Sequence, residues 1–371
     1  MTTFYINKPD NEIPKNLTHE VLMNNNAFTY HQSIKNYQPT PLIELKALAD
    51  RYSVANIFIK DESQRLELNA FKALGATYAV NEVLKSKPDI ETICTASDGN
   101  HGKAVAWAAT LHKKKAIVYV PYITSKNRIN AIKDVGGTVI QMDKNYDDTC
   151  EFAAKISKTS GWELLQDTAW NGYEKIPALI MAGYLTSLKE LENELNILPK
   201  PKVDIILLQA GVGSWAAAAI WYYLNRYGKN RPKLVIVEPN ESDGIFNSFI
   251  KNKRSDTSGN GQTIMAGLSC GYPSTSAWEI IKHGADAVLK TPDHYAEKAI
   301  RELYSPSHND ISVTAGESGA AGLAGFLALM KDDQYVGLRN YLNVNNETRI
   351  LCFNTEGATD IDDFNKIISS K

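Results

Sequence analysis

The sequence has almost no net charge, because 40 basic residues are balanced by 42 acidic ones, which leaves a formal charge of −2 over 371 residues. This balance offers no electrostatic attraction for a nucleic acid or an anionic membrane surface. No uninterrupted apolar segment approaches the roughly 20 residues that a membrane-spanning helix needs. Residues 1–5 also lack the basic-then-apolar pattern of a signal peptide. We therefore expect a soluble cytoplasmic protein with neither a nucleic acid nor a membrane as partner.

Cysteine is scarce as well, with four residues that are widely separated along the chain. They form no CxxC pair, which argues against a zinc site and against a disulfide framework, so we expect no bound metal. Cys94 and Cys352 lie within apolar segments of strand length. We expect these two side chains to be small members of the core.

Apolar segments of strand length alternate with helical patterns after a polar N-terminal stretch, residues 1–36. Continuous apolar strands joined by helices favour parallel sheets that are covered by helices on both faces. The sequence therefore predicts an α/β protein with twisted, parallel-rich sheets. The length allows two domains. We expect a small domain at residues 91–180 and a large, discontinuous domain at residues 1–90 and 181–371, with residues 251–262 as an exposed loop.

One lysine occupies an unfavourable place in a predicted helix. Residues 68–76 have the pattern of a loop that turns into a helix, with Asn69 as the N-cap and Phe71 and Leu74 at helical spacing. Lys72 then lies in the first turn, where the positive end of the helix dipole opposes a cation. We expect a lowered pKa for Lys72, which suits an amine that forms an imine with a carbonyl, as in pyridoxal phosphate (PLP) enzymes. An ordinary surface lysine is the alternative.

Two glycine-containing turns, each between a predicted strand and a predicted helix, carry further candidates. In the segment 97–102, Asn100 could contact a ring oxygen and Asp98 could act as an acid or a base. The second turn offers backbone amides and a hydroxyl at a helix N-terminus, which is a suitable arrangement for a phosphate. Its residues are Gly211, Val212, Gly213 and Ser214. A purely structural turn remains the alternative for both.

The second turn also matches a dinucleotide-binding fingerprint. Gly211, Gly213 and Ala216 fit the pattern G-x-G-x-x-A, and Glu238 ends the next strand, where a ribose-binding acid belongs. A nicotinamide or flavin enzyme is therefore a competing interpretation.

Thr355 and Asp167 complete the candidate set. Thr355 follows the last apolar strand, and ligands in open α/β sheets gather at the carboxyl ends of strands. A neutral hydroxyl there could meet a heterocyclic nitrogen. Asp167 lies close to Trp170 and Tyr173 in the sequence, and desolvation among these aromatic rings would raise its pKa. A polar turn and a helix N-cap are the respective alternatives.

Taken together, these segments resemble the diaminopropionate ammonia-lyase family of fold type II (tryptophan synthase β-like) PLP enzymes. The resemblance runs from about residue 37 to 360 and rests on segments in the same order, namely 69–75, 97–102, 166–170, 209–213, 264–268, 316–320 and 355–357. It implies PLP between a large domain and a small mobile one, usually in a homodimer. It also implies a carbon–nitrogen lyase that eliminates ammonia from D- or L-2,3-diaminopropionate, giving pyruvate and two ammonia.

The resemblance implies a role for each matching residue. Lys72 would hold PLP and take the Cα proton of the L-substrate, whereas Asp98 would be the base for the D-isomer. Asp167 would bind or protonate the departing amino group. Asn100 would contact the ring hydroxyl, and Thr355 would face the pyridine nitrogen. The phosphate would be bound by Gly211, Val212, Gly213 and Ser214.

Three positions depart from the family pattern. Ser97 stands where threonine is usual, Glu67 stands where glycine is usual, and Ala358 replaces an expected aspartate. The last change would remove a charge near the cofactor or the substrate. Three alternatives stay open at this stage. They are a PLP-dependent serine or threonine dehydratase or β-replacement enzyme, a nicotinamide-dependent oxidoreductase, and a non-catalytic ligand-binding homologue.

Overall fold

The computed structural model describes residues 2–97, 99–195, 202–307 and 309–370. The strands of this part are β1 (Phe4–Ile6), β2 (Leu42–Glu44), β3 (Asn56–Asp61), β4 (Thr92–Ala96), β5 (Lys115–Val120), β6 (Gly137–Gln141), β7 (Glu163–Leu164), β8 (Ile205–Gln209), β9 (Lys233–Pro239), β10 (Ala287–Thr291) and β11 (Arg349–Asn354). The α-helices are α1 (Leu17–Met23), α2 (Ala27–Ser33), α3 (Lys46–Tyr52), α4 (Lys72–Ser86), α5 (Asn100–Leu111), α6 (Lys126–Asp134), α7 (Tyr146–Ser160), α8 (Lys175–Leu195), α9 (Ser214–Tyr227), α10 (Gly244–Ile250), α11 (Thr275–Gly284), α12 (Asp293–Tyr304), α13 (Ala321–Lys331), α14 (Val336–Leu342) and α15 (Ile361–Ser369).

The described strands form two sheets, and both are rich in parallel pairs. The larger sheet has the order β1-β10-β9-β8-β11-β3-β2, in which only the edge strands β1 and β2 run antiparallel to their neighbours. The smaller sheet has the order β6-β5-β4-β7, and all of its pairs are parallel. Parallel neighbours need crossover connections, which the intervening helices provide. The predicted α/β class is confirmed.

The two faces of the larger sheet pack into separate cores. In β8, Ile206 and Leu208 belong to one core, whereas Ile205 and Leu207 belong to the other. This alternation follows from the two-residue period of a strand. Because both faces are covered, every residue of β8 is buried, and the strand is apolar almost throughout. The apolar segments that predicted the strands are therefore explained by burial on both sides.

The smaller sheet lies within the range predicted for the small domain. Its strands fall between residues 92 and 164, inside the predicted range 91–180. The predicted boundary at residue 180 lies within α8, which continues to residue 195 and packs against α4 and α9. The division at 91–180 therefore stays a proposal.

The start of α4 differs from the prediction. The N-cap position belongs to Phe71 and has no side-chain cap, while Asn69 has a left-handed φ of +60°. The backbone of the segment after β11 fixes this turn instead, since Phe71 N donates to Thr355 O over 3.1 Å and Gly357 N donates to Asn69 O over 2.9 Å. Asn69 as N-cap is therefore wrong. Lys72 nevertheless lies in the first turn, as predicted, and the strand that leads to Thr355 positions it.

Several smaller expectations can be compared with the described residues. Cys94 and Cys352 are buried, as predicted. Residues 251–254 are exposed, but Ser255 is buried within the same loop. Within the described ranges, no group of three or more His, Cys, Asp or Glu side chains is arranged to hold a metal ion. None of the helices listed above combines the length and the apolar character that crossing a membrane requires.

Candidate active site

One cavity brings together every described residue of the predicted site. It lies where β8 and β11 end and where α4, α5 and α9 begin. The predicted residues that line it are Lys72, Asn100, Asp167, Gly211, Val212, Gly213, Ser214 and Thr355. Asp98 lies outside the described residues. The placement agrees with the general position of ligands at the carboxyl ends of parallel strands.

Lys72 forms an ion pair at the cavity wall. Its Nζ lies 2.5 Å from Oδ2 of Asp167, and the two side chains are 20% and 5% exposed. Burial lowers the pKa of Lys72, but the charge and the hydrogen bond of Asp167 raise it by a larger amount. The net pKa therefore lies above its usual value. The expected lowered pKa is therefore wrong for this state. A carboxylate in direct contact outweighs both burial and the helix dipole.

Asp167 follows β7 and lies between two basic side chains. Burial raises the pKa of this carboxyl, but the charges of Lys72 and His101 lower it to about 2. The expected raised pKa is also wrong, because the cationic partners lie across the cavity and are distant in sequence. His101 Nδ1 lies 3.9 Å from Asp167 Oδ2, and its Nε2 lies 2.9 Å from Leu165 O. The imidazole is thus oriented with Nδ1 towards the carboxylate.

Asn100 begins α5 and is oriented by a carboxylate from the other sheet. Its Nδ2 donates to Oε2 of Glu356, while Ser318 N donates to the other oxygen of the same carboxylate over 3.2 Å. Glu356 is 6% exposed and lines the cavity. The contact connects the end of β11 to the small-sheet part of the chain.

The glycine turn between β8 and α9 has the geometry of an anion-binding loop. Gly213 has a φ of +90°, and a Cβ on Gly211 would lie 3.0 Å from Cys270 Sγ. The first amides of a helix have no carbonyl partner within it, so they are suited to bind an anion. The Ser214 hydroxyl donates to Asp167 O over 2.7 Å. The backbone amides, rather than this hydroxyl, are therefore the donors that face the cavity.

Gln209 donates a hydrogen bond to the hydroxyl oxygen of Thr355. Its Nε2 donates to Thr355 Oγ1 over 3.1 Å and to Phe353 O over 2.8 Å. Because the Thr355 oxygen accepts a hydrogen bond, its own O–H proton is free to donate elsewhere. In the described part of the chain, Oε1 of Gln209 is buried and has no hydrogen-bond partner.

These donors and acceptors fit PLP. The cavity offers a primary amine for the aldehyde, backbone amides for the phosphate, a neutral hydroxyl for the pyridine nitrogen and an amide side chain for the ring oxygen. Comparison with known proteins agrees, since residues 34–338 match the model of the family described as pyridoxal-phosphate dependent enzyme. The chain belongs to this family. Its cofactor is PLP.

Individual members of the PLP-dependent family are similar over nearly the whole chain. The diaminopropionate ammonia-lyase of Escherichia coli (strain K12) is 38% identical over 359 residues, covering 92% of this chain and 90% of the relative. The crystal structure of the E. coli enzyme with D-serine superposes with a TM-score of 0.91, at 34% identity, covering 99% of this chain and 96% of that one. A structure with an aminoacrylate–PLP azomethine reaction intermediate has a TM-score of 0.89, at 35% identity and the same coverage.

The nicotinamide interpretation does not hold within a PLP-dependent enzyme, and Glu238 shows why. This side chain is 1% exposed, and its carboxylate accepts hydrogen bonds from Ile245 N over 2.9 Å and Phe246 N over 2.8 Å. It therefore binds the first amides of α10 and is not placed to read a ribose. Burial raises the pKa of Glu238 to about 8.

Sequence reasoning missed several residues of the cavity. His101 and Glu356 belong to motifs named above, but their roles depend on partners that are distant in sequence. Arg128 and Tyr146 line the cavity from α6 and α7, and no motif surrounds them. Ala358, where the resemblance led us to expect an aspartate, packs against the core that contains Ile205 and Leu207. The next residue, Thr359, lines the cavity.

Proposed function

We propose that the chain eliminates ammonia from 2,3-diaminopropionate, in the D or the L form, giving pyruvate and two ammonia. The observation that carries this proposal is the cavity in which Lys72, Asp167 and the glycine turn converge, in a chain 38% identical to the E. coli diaminopropionate ammonia-lyase. The reaction makes the protein a carbon–nitrogen lyase. A homodimeric assembly is part of the proposal.

The residues of the cavity divide into groups that hold the cofactor and groups that move protons. Bound PLP supplies an electron sink for the electrons of the Cα–H bond. Lys72 is the residue that holds PLP through its amine, and the amides of residues 211–214 bind the phosphate. Thr355 donates its hydroxyl proton towards the pyridine nitrogen. Because this partner is neutral, it leaves the nitrogen less positive than a carboxylate would.

Proton transfer is the task of Lys72 and Asp167. Lys72 Nζ is the proposed acceptor of the Cα proton from the L-isomer, and Asp98 is the proposed base for the D-isomer. Ammonia is a poor leaving group unless it is protonated, so an acid must lie beside the β-nitrogen. Asp167 is buried and lies 2.5 Å from Lys72 Nζ, so the Cα proton that Lys72 accepts can pass through this carboxyl to the β-nitrogen. Asp167 is therefore the proposed acid.

The breaking and forming bonds balance with these residues. Loss of the Cα proton and cleavage of the Cβ–N bond release one ammonia and an enamine. Hydrolysis of the enamine then gives pyruvate and the second ammonia. Asn100, which Glu356 orients, is the proposed contact of the cofactor ring oxygen. None of these steps requires an external oxidant or reductant.

An absorbance scan combined with pyruvate detection tests the proposal. The wild-type protein should show the visible band of bound PLP and form pyruvate from at least one isomer of 2,3-diaminopropionate. Lys72→Ala should lose both, because no amine remains to bond the aldehyde. A Lys72→Ala protein that keeps the band would contradict the assignment of this lysine.

Parallel assays with other amino acids separate the remaining alternatives. Faster turnover of serine or threonine than of diaminopropionate would indicate a dehydratase. Product formation only with an added nucleophile would indicate a β-replacement enzyme. A visible PLP band without turnover of any of these substrates would indicate a ligand-binding homologue.

A further inference from the structure

The backbone just before Lys72 adopts an unfavourable conformation at three non-glycine residues. Leu66, Glu67 and Asn69 have φ values of +50°, +61° and +60°. A Cβ atom disfavours this left-handed region, particularly for a branched side chain such as leucine. Such residues persist where surrounding contacts impose the conformation, and they often mark segments that position a functional group. The segment 66–69 leads directly to the first turn of α4, which begins at Lys72.

On both sides of the segment 66–69, the neighbouring contacts are made with the larger-sheet part of the chain. Upstream, Arg65 is fully buried and pairs with Glu62 over 2.7 Å and with Glu190 over 2.6 Å. Downstream, Asn69 O accepts a hydrogen bond from Gly357 N over 2.9 Å. These contacts hold the two ends of the segment, and within it Leu68 N donates to Arg65 O over 2.9 Å.

The contact that reaches the middle of the segment from another part of the fold comes from Lys103, in the small-sheet part. Its Nζ donates to Leu68 O over 3.1 Å. The Lys103 side chain is partly buried, and burial lowers its pKa. Lys103 differs from the exposed lysines of the surface, because its ammonium is partly buried and donates to a backbone carbonyl. Its charge strengthens the hydrogen bond to Leu68.

Lys103 also belongs to the helix that starts at the cavity. The first two residues of α5, Asn100 and His101, line the cavity, and Lys103 follows within the same turn. One rigid helical turn therefore carries the contact to Glu356, the imidazole beside Asp167 and the ammonium on Leu68 O. A shift of this turn moves all three groups together.

We propose that Lys103 is a positioning residue for Lys72. By binding Leu68 O it maintains the turn at residues 66–69, with its three left-handed residues, and this turn sets the start of α4 and so the location of the Lys72 amine. It also couples that location to the Asn100–His101 turn. The inference rests on the function proposed above, because it assumes that Lys72 holds the cofactor.

The test compares Lys103→Met and Lys103→Arg with a matched surface change, Lys155→Met, on the exposed face of α7. Lys103→Met should lower kcat about tenfold or more with KM changed less than about twofold, because misplacing a reacting group by an ångström costs up to about a hundredfold. Lys103→Arg, which keeps a cationic donor, should recover most of kcat. Lys155→Met should equal the wild type.

Two readouts do not depend on turnover. Lys103→Met should slow the appearance of the visible band when PLP is added to cofactor-free protein, because the Lys72 amine is presented less often in the reactive position. It should also speed amide exchange in the peptide that covers residues 66–71. If Lys103→Met does not fold, as judged by circular dichroism, Lys103→Gln replaces it in every comparison.

The outcomes separate this inference from the proposed function. Unchanged kcat and unchanged PLP reaction in Lys103→Met would overturn the inference, and so would a loss that Lys103→Arg does not recover. A fall in kcat without faster exchange at residues 66–71 would also overturn it. If the wild type fails to turn over diaminopropionate, the proposed function fails, and the PLP reaction and amide exchange still decide the role of Lys103.

Discussion

Glu67 is an exposed residue with a left-handed φ of +61°. A Cβ atom in this region costs about 1 kcal/mol, whereas glycine adopts it freely. We therefore expect Glu67→Gly to raise the free energy of unfolding by up to about 1 kcal/mol, even though glycine gains more freedom in the unfolded chain. Urea unfolding at a fixed PLP concentration measures the change.

The matched control is Glu151→Gly, an exposed glutamate within α7. Glycine in the middle of a helix should lower stability by roughly 0.5–1 kcal/mol. The same substitution is thus expected to have opposite signs at the two sites. A loss of stability at Glu67 that equals the loss at Glu151 would show that the left-handed backbone carries no local cost.

The sequence predicts which residues line the cavity better than it predicts the pKa values of those residues. Lys72, Asn100 and Thr355 were identified from motifs, and all of them line one cavity. The pKa values of Lys72 and Asp167 were predicted in the wrong direction, because each depends on the other across 95 residues of sequence. A local argument from a helix dipole or neighbouring aromatic rings cannot include a partner that only the tertiary fold supplies.

Among the elements, the interiors were predictable and the helix starts at the cavity were not. The pattern of apolar residues predicts helices from Ala104 and Ala216, but α5 begins at Asn100 and α9 at Ser214. Asn100, His101 and Ser214 are polar and line the cavity, so they do not contribute to helical apolar periodicity. The apolar pattern therefore places the starts of these two helices too late in the sequence.

Helix α6 is connected to the segment after β11 by side chains that border the cavity. Asn127 Nδ2 donates to Asp360 over 3.2 Å and to Asp362 over 3.0 Å, and Arg128 next to it lines the cavity. Asn127→Ala removes both contacts while leaving in place the Ser125 N-cap and the hydrogen bond from Ser125 Oγ to Asp360 over 2.9 Å. We expect kcat/KM to fall about threefold to tenfold, which corresponds to the roughly 1 kcal/mol of a net hydrogen bond, because Arg128 is held less firmly.

Asn130→Ala on the exposed face of the same helix is the control for this prediction. Both changes replace asparagine by a better helix former, so helix propensity is matched between them. Steady-state kinetics of pyruvate formation should show a loss for Asn127→Ala alone. Equal kinetics in the two variants would mean that the contacts of Asn127 with Asp360 and Asp362 do not influence the cavity.

At the scale of the whole molecule, buried charges connect parts of the chain that are far apart in sequence. Arg65 and Lys60 are fully buried and pair with Glu190, which lies 125 residues beyond Arg65, and Arg65 also pairs with Glu62. Burial raises the pKa of Glu62, but the charge of Arg65 lowers it to about 2. The charges of Arg65 and Glu62 also act on other buried groups of the core.

His31 is one of these groups, and it makes stability depend on pH. The ring is fully buried between α2, α4 and α8, with Nε2 3.0 Å from Leu74 O and Nδ1 2.6 Å from Thr186 Oγ1. Burial, together with the charge of Arg65, lowers the pKa of His31 to about 3, although the bond to Leu74 and the charge of Glu62 oppose the shift. Below about pH 6.5 the unfolded chain binds a proton at this residue that the folded protein does not bind.

The contribution of His31 to stability should therefore fall as the pH drops below 6.5, by up to about 1.4 kcal/mol per pH unit, whereas Glu238, with its raised pKa, contributes in the opposite direction. Urea unfolding between pH 7 and 5 measures this slope before most carboxylates titrate. His31→Gln should be less stable at pH 7, because it disturbs the buried hydrogen bonds, but its stability should fall less steeply with acid. His294→Gln, at an exposed position, should keep the wild-type slope. Equal slopes in His31→Gln and the wild type would place the acid sensitivity elsewhere in the fold.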